Sequence, residues 1–287
     1  MTSETTPVTD SVSPRLAPFT RFGTVFGWGI RRSLRTKKFT VTLTLAAFAG
    51  AGLALVVRAA HQPEYEFWAM LDNALLAIAI PLVALALVAG GYGEEIQDQT
   101  LVYHLVRPVS RRTVFLARYA SGILPGVVAG STLVVAACLA SGLAVSGIVV
   151  LQTALAASLG VATVGALYYA LAALFRRGLV AGLVYTFVVE GFFQAMPGSV
   201  HKLSLMFHVR SLFHRWTDDA FATLSPAISD AIEAAKQPSN PMLRMVGVVE
   251  EPWTSALVAL TICVGVVAGA LILAANEIAH RDFALKD

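Results

Sequence analysis

Residues 119–175 read YASGILPGVVAGSTLVVAACLASGLAVSGIVVLQTALAASLGVATVGALYYALAALF, a stretch of 57 residues without one charged side chain. A helix of about 20 apolar residues crosses a hydrocarbon core of about 30 Å, so this stretch is long enough for two crossings. Small and turn-forming residues cluster at 140–147, and there we predict the break between the two helices. The stretch therefore indicates an α-helical protein that crosses a membrane repeatedly.

The composition of the whole chain agrees with this interpretation. Of its 287 residues, 56% are hydrophobic and 14% are charged, and the mean hydropathy is +0.70. A typical soluble domain has about 25% charged residues. The net charge of +3 would suggest an anionic partner in a soluble protein, but in a membrane protein the distribution of charge matters more. We expect no nucleic-acid partner.

The apolar runs predict an all-α fold with six membrane spans. The fifth span is long enough only if it continues past Glu190, which brings an acid into the membrane. We interpret 19–287 as a single transmembrane domain and the Ser/Thr/Pro-rich segment 1–18 as a disordered tail. The six predicted spans lie at about 39–59, 71–93, 118–140, 148–175, 178–194 and 253–276.

The positions of Lys and Arg predict which side each loop faces. If the N-terminus is cytoplasmic, the cytoplasmic segments hold fifteen Lys/Arg and eight Asp/Glu, and the remaining segments hold six and ten. Because basic residues accumulate on the cytoplasmic side, both termini are expected there. We therefore predict a multi-pass protein of the bacterial cytoplasmic membrane, in contact with its lipid.

Two polar segments outside the spans are predicted to be helical. In 19–38 aromatic residues precede basic ones, which is typical of an elbow helix lying in the headgroup layer; a plain basic topology signal is the alternative. Segment 195–252 is too polar to span, and helical periodicity at 201–221 and 225–236 predicts a helical cap on the external surface. A simple connector is the alternative for this segment.

No residue cluster indicates catalysis or metal binding, so we predict neither an enzyme nor a metal site. The chain lacks HExxH, GxSxG and GxxxxGK[ST] motifs. Cys138 and Cys263 lie in apolar runs and are expected to be buried small residues rather than a disulfide. His201, His208 and His214 are interpreted as surface histidines, with a metal or pH role as the alternative.

The loop between the second and third spans has the pattern of a short amphipathic helix. Glu94 and Glu95 stand at its start, where acids favour the positive end of the helix dipole. Pro108 should end this helix, and Ser110 can cap the next one. Such a helix followed by a basic elbow is suited to docking; a charged loop with Arg residues at the headgroups is the alternative.

This loop resembles that of the ABC-2-type permeases, the membrane subunits of ATP-binding-cassette exporters. The shared pattern is an acid-rich start, then Thr-Leu, Leu and Arg-Pro-x-x-Arg, and a basic residue entering the third span. Gln99 and Arg118 stand where many members have Gly and Lys. A second likeness is Glu190-Gly191, followed by Pro-Gly and Leu-Ser pairs. The matching loop residues are Glu94, Glu95, Thr100, Leu101, Leu105, Arg107, Pro108, Arg111 and Arg118.

The resemblance implies a function and a set of partners. Two permease chains, expected as a homodimer with a heterodimer left open, would form a pathway for an amphipathic, lipidic or drug-like compound. Two copies of a separate cytoplasmic ATPase would bind ATP and Mg, and this chain would hold no cofactor. The loop residues from Glu94 to Arg111 would form the ATPase-coupling site.

One other class and one residue stay open. An ion-coupled secondary transporter would show several intramembrane ionisable groups and broken helices in two related halves, whereas we find only Glu190 and Pro81. An ionised carboxylate inside a bilayer is costly unless it is paired or hydrated. Glu190 is therefore a candidate to line the pathway, to bond with another helix, or to lie near enough to the surface to be hydrated.

Overall fold

A computed structural model describes residues 18–59, 63–89, 110–175, 177–192, 202–235 and 253–280. Helices dominate these residues, and none of them forms a β-strand. The helices are α1 (Pro18–Leu34), α2 (Lys37–Arg58), α3 (which starts at Pro63 and ends at Ala89), α4 (Arg111–Ser141), α5 (Gly147–Leu174), α6 (Gly178–Tyr185, continued by a π-helical segment, Thr186–Phe192), α7 (Leu205–Ala222), α8 (Pro226–Ala235) and α9 (Ala256–His280).

Five helices are long and apolar enough to cross a membrane: α2, α4, α5, Pro63–Val88 of α3 and Ala256–Ile278 of α9. Many of their apolar side chains point outward; Phe48 is 74% exposed and Leu257 80% exposed. Such wide apolar surfaces suit contact with lipid rather than water. Helix α6 with its extension is 15 residues long, about 22 Å, which is short for a 30 Å core. The protein is thus multi-pass, and the count of six spans stays a prediction.

Helices α4 and α5 form a hairpin at the predicted break. The hydroxyl of Ser110 accepts a hydrogen bond from the Thr113 N–H at 3.1 Å, which confirms Ser110 as the cap of α4. At the other end Gly142 adopts a left-handed conformation with φ 68°, which a residue without Cβ takes at little cost. Helix α5 begins at Gly147, so the break predicted at 140–147 is confirmed.

Helix α3 alternates between two kinds of helical turn. Its segments are α-helical at Pro63–Met70, π-helical at Leu71–Ala79, α-helical at Ile80–Ala84 and π-helical at Leu85–Ala89. Pro81 has no N–H to donate, and a proline ring crowds the carbonyl of the preceding turn. Wide π turns recur at functional positions of helices. The second predicted span is therefore the least regular helix of the bundle.

The core of the bundle surrounds α4 and α5. Tyr169 of α5 is buried and donates a hydrogen bond to the Phe115 carbonyl of α4 at 3.1 Å. Each buried hydroxyl with an acceptor avoids the cost of an unpaired polar group. Cys138 and Cys263 are buried and free, which confirms their predicted role as small core residues.

Helix α7 lies inside the bundle and contacts α3, α5 and α9. Its Met206 meets Ile80 of α3 at Gly160 of α5, and its other end reaches Trp68 near the start of α3. The two helices therefore run antiparallel, and α7 begins beside the middle of α3. The sequence predicted a helix here but not its burial within the bundle.

The contact between α2 and α4 depends on Gly50, and Gly52, two residues further along α2, allows a control substitution. A Cβ on Gly50 would overlap the backbone carbonyl of Leu133, whereas a Cβ on Gly52 would meet no atom within 4 Å. We expect Gly50→Ala to destabilise the protein by about 1–3 kcal/mol, because the packed helices must separate. Gly52→Ala should leave stability unchanged or raise it by up to about 1 kcal/mol, because alanine favours a helix more than glycine does. Thermal unfolding of the two purified variants tests this; equal melting temperatures would contradict the packing.

Candidate functional site

The predicted coupling segment lies almost entirely outside the described residues. This applies to Glu94, Glu95, Thr100, Leu101, Leu105, Arg107 and Pro108, all of which fall within 90–109. Arg111 is the first residue of α4, directly after the Ser110 cap. Val88 of α3 packs near both Gly126 of α4 and Gly165 of α5. Helices α3 and α4 therefore lie side by side, and residues 90–109 join them.

Helix α1 is docked against α4 close to that junction. A Cβ on Gly29 would overlap the Ser121 hydroxyl, so the two helices approach closely at this point. The Trp28 ring contacts two guanidinium groups, that of Arg32 at 5.2 Å and that of Arg118 at 5.3 Å from the ring centroid. Such cation–π contacts contribute about 0.5–2 kcal/mol each. The basic residue noted at the start of the third span thus contacts the N-terminal helix.

Glu190 is 2% exposed and lies at the joint between α6 and α7. Its carboxylate accepts hydrogen bonds from the Tyr185 hydroxyl at 2.8 Å, from the Ser204 hydroxyl, and from the N–H groups of Leu205 at 3.0 Å and Met206 at 3.2 Å. All four groups donate to the carboxylate, so in these contacts the side chain acts as an acceptor. Glu190 therefore bonds with another helix of the same chain.

The contacts of Glu190 solve a problem at the start of α7. The first N–H groups of any helix have no acceptor within that helix. Inside a helical bundle, bulk water is not available to accept from them either. The Ser204 hydroxyl accepts from the Phe207 N–H at 3.2 Å, while Glu190 accepts from the two preceding N–H groups. A negative charge also favours the positive end of the helix dipole. Together they make a buried helix start possible.

A second polar cluster joins α7 to α3. The Arg210 guanidinium binds Asp72 with two nitrogens, Nε at 2.6 Å and Nη2, in the fork geometry that suits a carboxylate. His214, one turn further along α7, lies with Nε2 3.1 Å from Asp72 Oδ1 and Nδ1 2.9 Å from Asp218 Oδ1. We call Asp72, Arg210, His214 and Asp218 the charge cluster.

Two tryptophans enclose the charge cluster. The Trp68 indole N–H donates to Asp218 Oδ1 at 3.3 Å, and the Trp253 ring stacks on the His214 ring at 3.9 Å and 12°. Arg215 donates to the backbone carbonyls of Thr254 at 2.8 Å and Trp253 at 3.3 Å. The cluster therefore connects α3, α7 and the residues that lead into α9.

His208 and His214 are 5% and 2% exposed, so their interpretation as surface histidines was wrong. Burial lowers the pKa of His208, although the Lys202 carbonyl opposes this effect. Burial also lowers the pKa of His214, but Asp218 and Asp72 outweigh it, and the net pKa lies above the ordinary value of 6.5. Among the described residues no group of His, Cys, Asp and Glu forms a metal site.

The sequence carries a signal for the charge cluster that we did not recognise. Arg210, His214 and Asp218 follow one another at intervals of four, which places them on one face of a helix. Their partner, Asp72, stands at the edge of the predicted second span, 71–93, and the sequence analysis did not single it out. Because Asp72 lies 138 positions before Arg210 in the chain, the contact between them can be recognised only in the folded structure.

The long apolar helices and the buried polar joints between them define a multi-pass membrane protein. The model of a family described as ABC-2 family transporter protein matches residues 33–192, from the end of α1 to the end of α6. This is more than half of the chain, which therefore belongs to the ABC-2 family of transporters. The resemblance noted in the sequence is thereby confirmed. A search of curated proteins found no match.

The joint at Glu190 generates a test. In Glu190→Gln an amide N–H₂ would face hydrogen-bond donors, so we expect a loss of about 2–3 kcal/mol. The melting temperature of the purified protein should fall by about 5 °C. Glu277→Gln, on the exposed surface of α9, is the matched control and should leave it unchanged. If both variants melt like the wild type, Glu190 does not hold α7 in place.

Proposed function

We propose that this chain is the permease subunit of an ABC exporter, and that ATP hydrolysis by a separate subunit drives its conformational change. The observation that carries the proposal is the family match over a set of membrane-length helices. Permease domains of this family generally work with an ABC ATPase. The ATPase supplies ATP and Mg binding, and this chain supplies the pathway without enzymatic activity of its own.

Residues 94–106 are the proposed docking helix for the ATPase, with Arg107 directly after it and Arg111 at the start of α4 completing the contact. The support is their place in the chain, because they connect α3 to α4, two neighbouring helices of the bundle. A force applied at 90–109 would reach both helices at once. Helix α3, with its π turns, can change its hydrogen bonding without unfolding. Such a two-state element is what nucleotide binding would bias.

Two copies of the permease, each with its ATPase, form the proposed transporter in the bacterial cytoplasmic membrane. Both termini and the docking helix would face the cytoplasm, as the charge distribution predicts. Helix α1, with exposed Arg31, Arg32 and Arg35, would lie along the cytoplasmic headgroups. The proposed cargo is an amphipathic, lipidic or drug-like compound, and its class rests on the family resemblance alone. We propose a homodimer because two copies of this same chain are sufficient to form the transporter.

An ion-coupled secondary transporter is the second candidate. The charge cluster favours it, because it adds buried ionisable groups that the sequence did not reveal. Against it, Arg210 already compensates Asp72, and the cluster has no counterpart in a second, related half among the described helices. Transport by proteoliposomes distinguishes the two: an ABC exporter needs ATP and its ATPase, while a secondary transporter needs only an ion gradient.

Copurification tests the docking helix. We expect Arg107→Glu to lower the yield of ATPase bound to the permease at least about tenfold, because reversing a charge in a docking contact costs more than about 1.4 kcal/mol. Arg177→Glu is the matched control: Arg177 is exposed in the turn before α6, on the same predicted side of the membrane. An ATPase that copurifies equally with both variants would rule out this docking site.

A further inference from the structure

His214 lies between two carboxylates that belong to different helices. Its Nε2 faces Asp72 of α3 at 3.1 Å, and its Nδ1 faces Asp218 of α7 at 2.9 Å. Trp253, which precedes α9, covers the ring face and carries no charge. Two other charged side chains among the described residues lie here: Arg210 binds both oxygens of Asp72, including the one that faces His214, and Arg215 binds the backbone carbonyls of Thr254 and Trp253.

This geometry favours a protonated ring. A neutral imidazole has one N–H and one lone pair, so one of its nitrogens would turn a lone pair toward a carboxylate oxygen. An imidazolium carries a proton on both nitrogens, so it donates to Asp218 at Nδ1 and forms an ion pair with Asp72 at Nε2. Its charge, with that of Arg210, also balances the two carboxylates. Loss of the proton would leave a net negative charge in a buried cluster, which is costly at low dielectric.

We propose that His214 is a proton-operated latch: when protonated it adds to the contacts that hold the Pro63 end of α3 to α7, and when deprotonated it loosens this joint, which then depends on the Arg210–Asp72 pair and the Trp68–Asp218 hydrogen bond. The side chain of His214 is 1% exposed, but that of Asp218 is 15% exposed and offers a route by which the proton reaches water. This role goes beyond the proposed export function, since it requires neither cargo nor ATPase.

The pH range of the latch follows from the direction of the His214 shift. Its pKa is above the ordinary value of 6.5 because the two carboxylates outweigh burial. A group with a raised pKa stabilises the folded state fully at pH below its ordinary value. That stabilisation is lost as the pH rises through the raised value. The latch is thus closed in acid and opens toward alkaline pH.

The latch would also limit the movement of α3 as a whole. The same helix leads at its other end into residues 90–109, which carry the proposed docking helix. A protonated His214 would hold one end of α3 while the ATPase, bound at the proposed docking helix, moves the other end. An alkaline pH would free the held end, so pH on the predicted external side would set how far α3 can move.

Hydrogen–deuterium exchange of the full chain in lipid nanodiscs tests the latch. We expect the protection of residues 205–222, corrected for the intrinsic exchange rate, to fall about tenfold as the pH is raised from 6.5 into the alkaline range. His214→Gln should abolish this step. His208→Gln is the matched control, because His208 lies on the same helix but contacts the Lys202 carbonyl rather than a carboxylate. The step should persist in that variant.

A second variant covers the case in which His214→Gln does not fold. Asp218→Asn removes one of the two carboxylates, so the step should move to lower pH by about one unit. The proposal is overturned if the wild type shows no step, if His214→Gln keeps it, or if Asp218→Asn leaves its midpoint unmoved. None of these measurements involves the ATPase. A result that overturns the latch would therefore leave the proposed export function untouched, and the reverse also holds.

Discussion

The structure depends on one constraint, which is that α7 begins inside a helical bundle. Free N–H groups at a helix start must find acceptors, and in an apolar interior only protein groups can supply them. Glu190 and Ser204 do so for α7. Because α6 ends shortly after Glu190, the acid reaches the start of α7 from the neighbouring helix. Without this acceptor, the buried start of α7 would carry unpaired donors.

The two polar sites on α7 have complementary roles. At its start, Glu190 is a fixed acceptor surrounded by donors, which favours a single arrangement. Two turns later, the charge cluster contains His214, whose pKa lies above its ordinary value, so under our proposal its contacts depend on pH. One end of α7 is therefore anchored, and the other end is adjustable. This division suits a helix placed between α3, which leads into 90–109, and α9.

Local chemistry explains what the sequence could predict. The break at 140–147 and the cap at Ser110 follow from residue preferences that act within one turn. Burial of Cys138 and Cys263 follows from their apolar surroundings in the chain. Glu190 was recognised as exceptional for the same reason, since the length of its apolar run carried it into a span. These features need no knowledge of distant contacts.

What the sequence could not predict involves pairs far apart in the chain. The apolar spacing of α7 is the same for a helix on a surface and for one in a bundle, so its burial was missed. For the same reason, His208 and His214, which lie on α7, were wrongly interpreted as surface histidines. The partner of Arg210 and His214 is Asp72, and nothing local indicates that an acid at the edge of one apolar run will meet a helix 138 residues later.

That separation has a consequence for how the protein is made. Asp72 leaves the ribosome 138 residues before Arg210, which at about 5–20 residues per second means roughly 7–28 s of synthesis. Throughout that interval, α3 carries a carboxylate whose permanent partners do not yet exist. The newly inserted helix must keep Asp72 in contact with water or with the translocation machinery until α7 arrives. The final seating of α3 is therefore a late event in assembly, although its residues are among the first to enter the membrane.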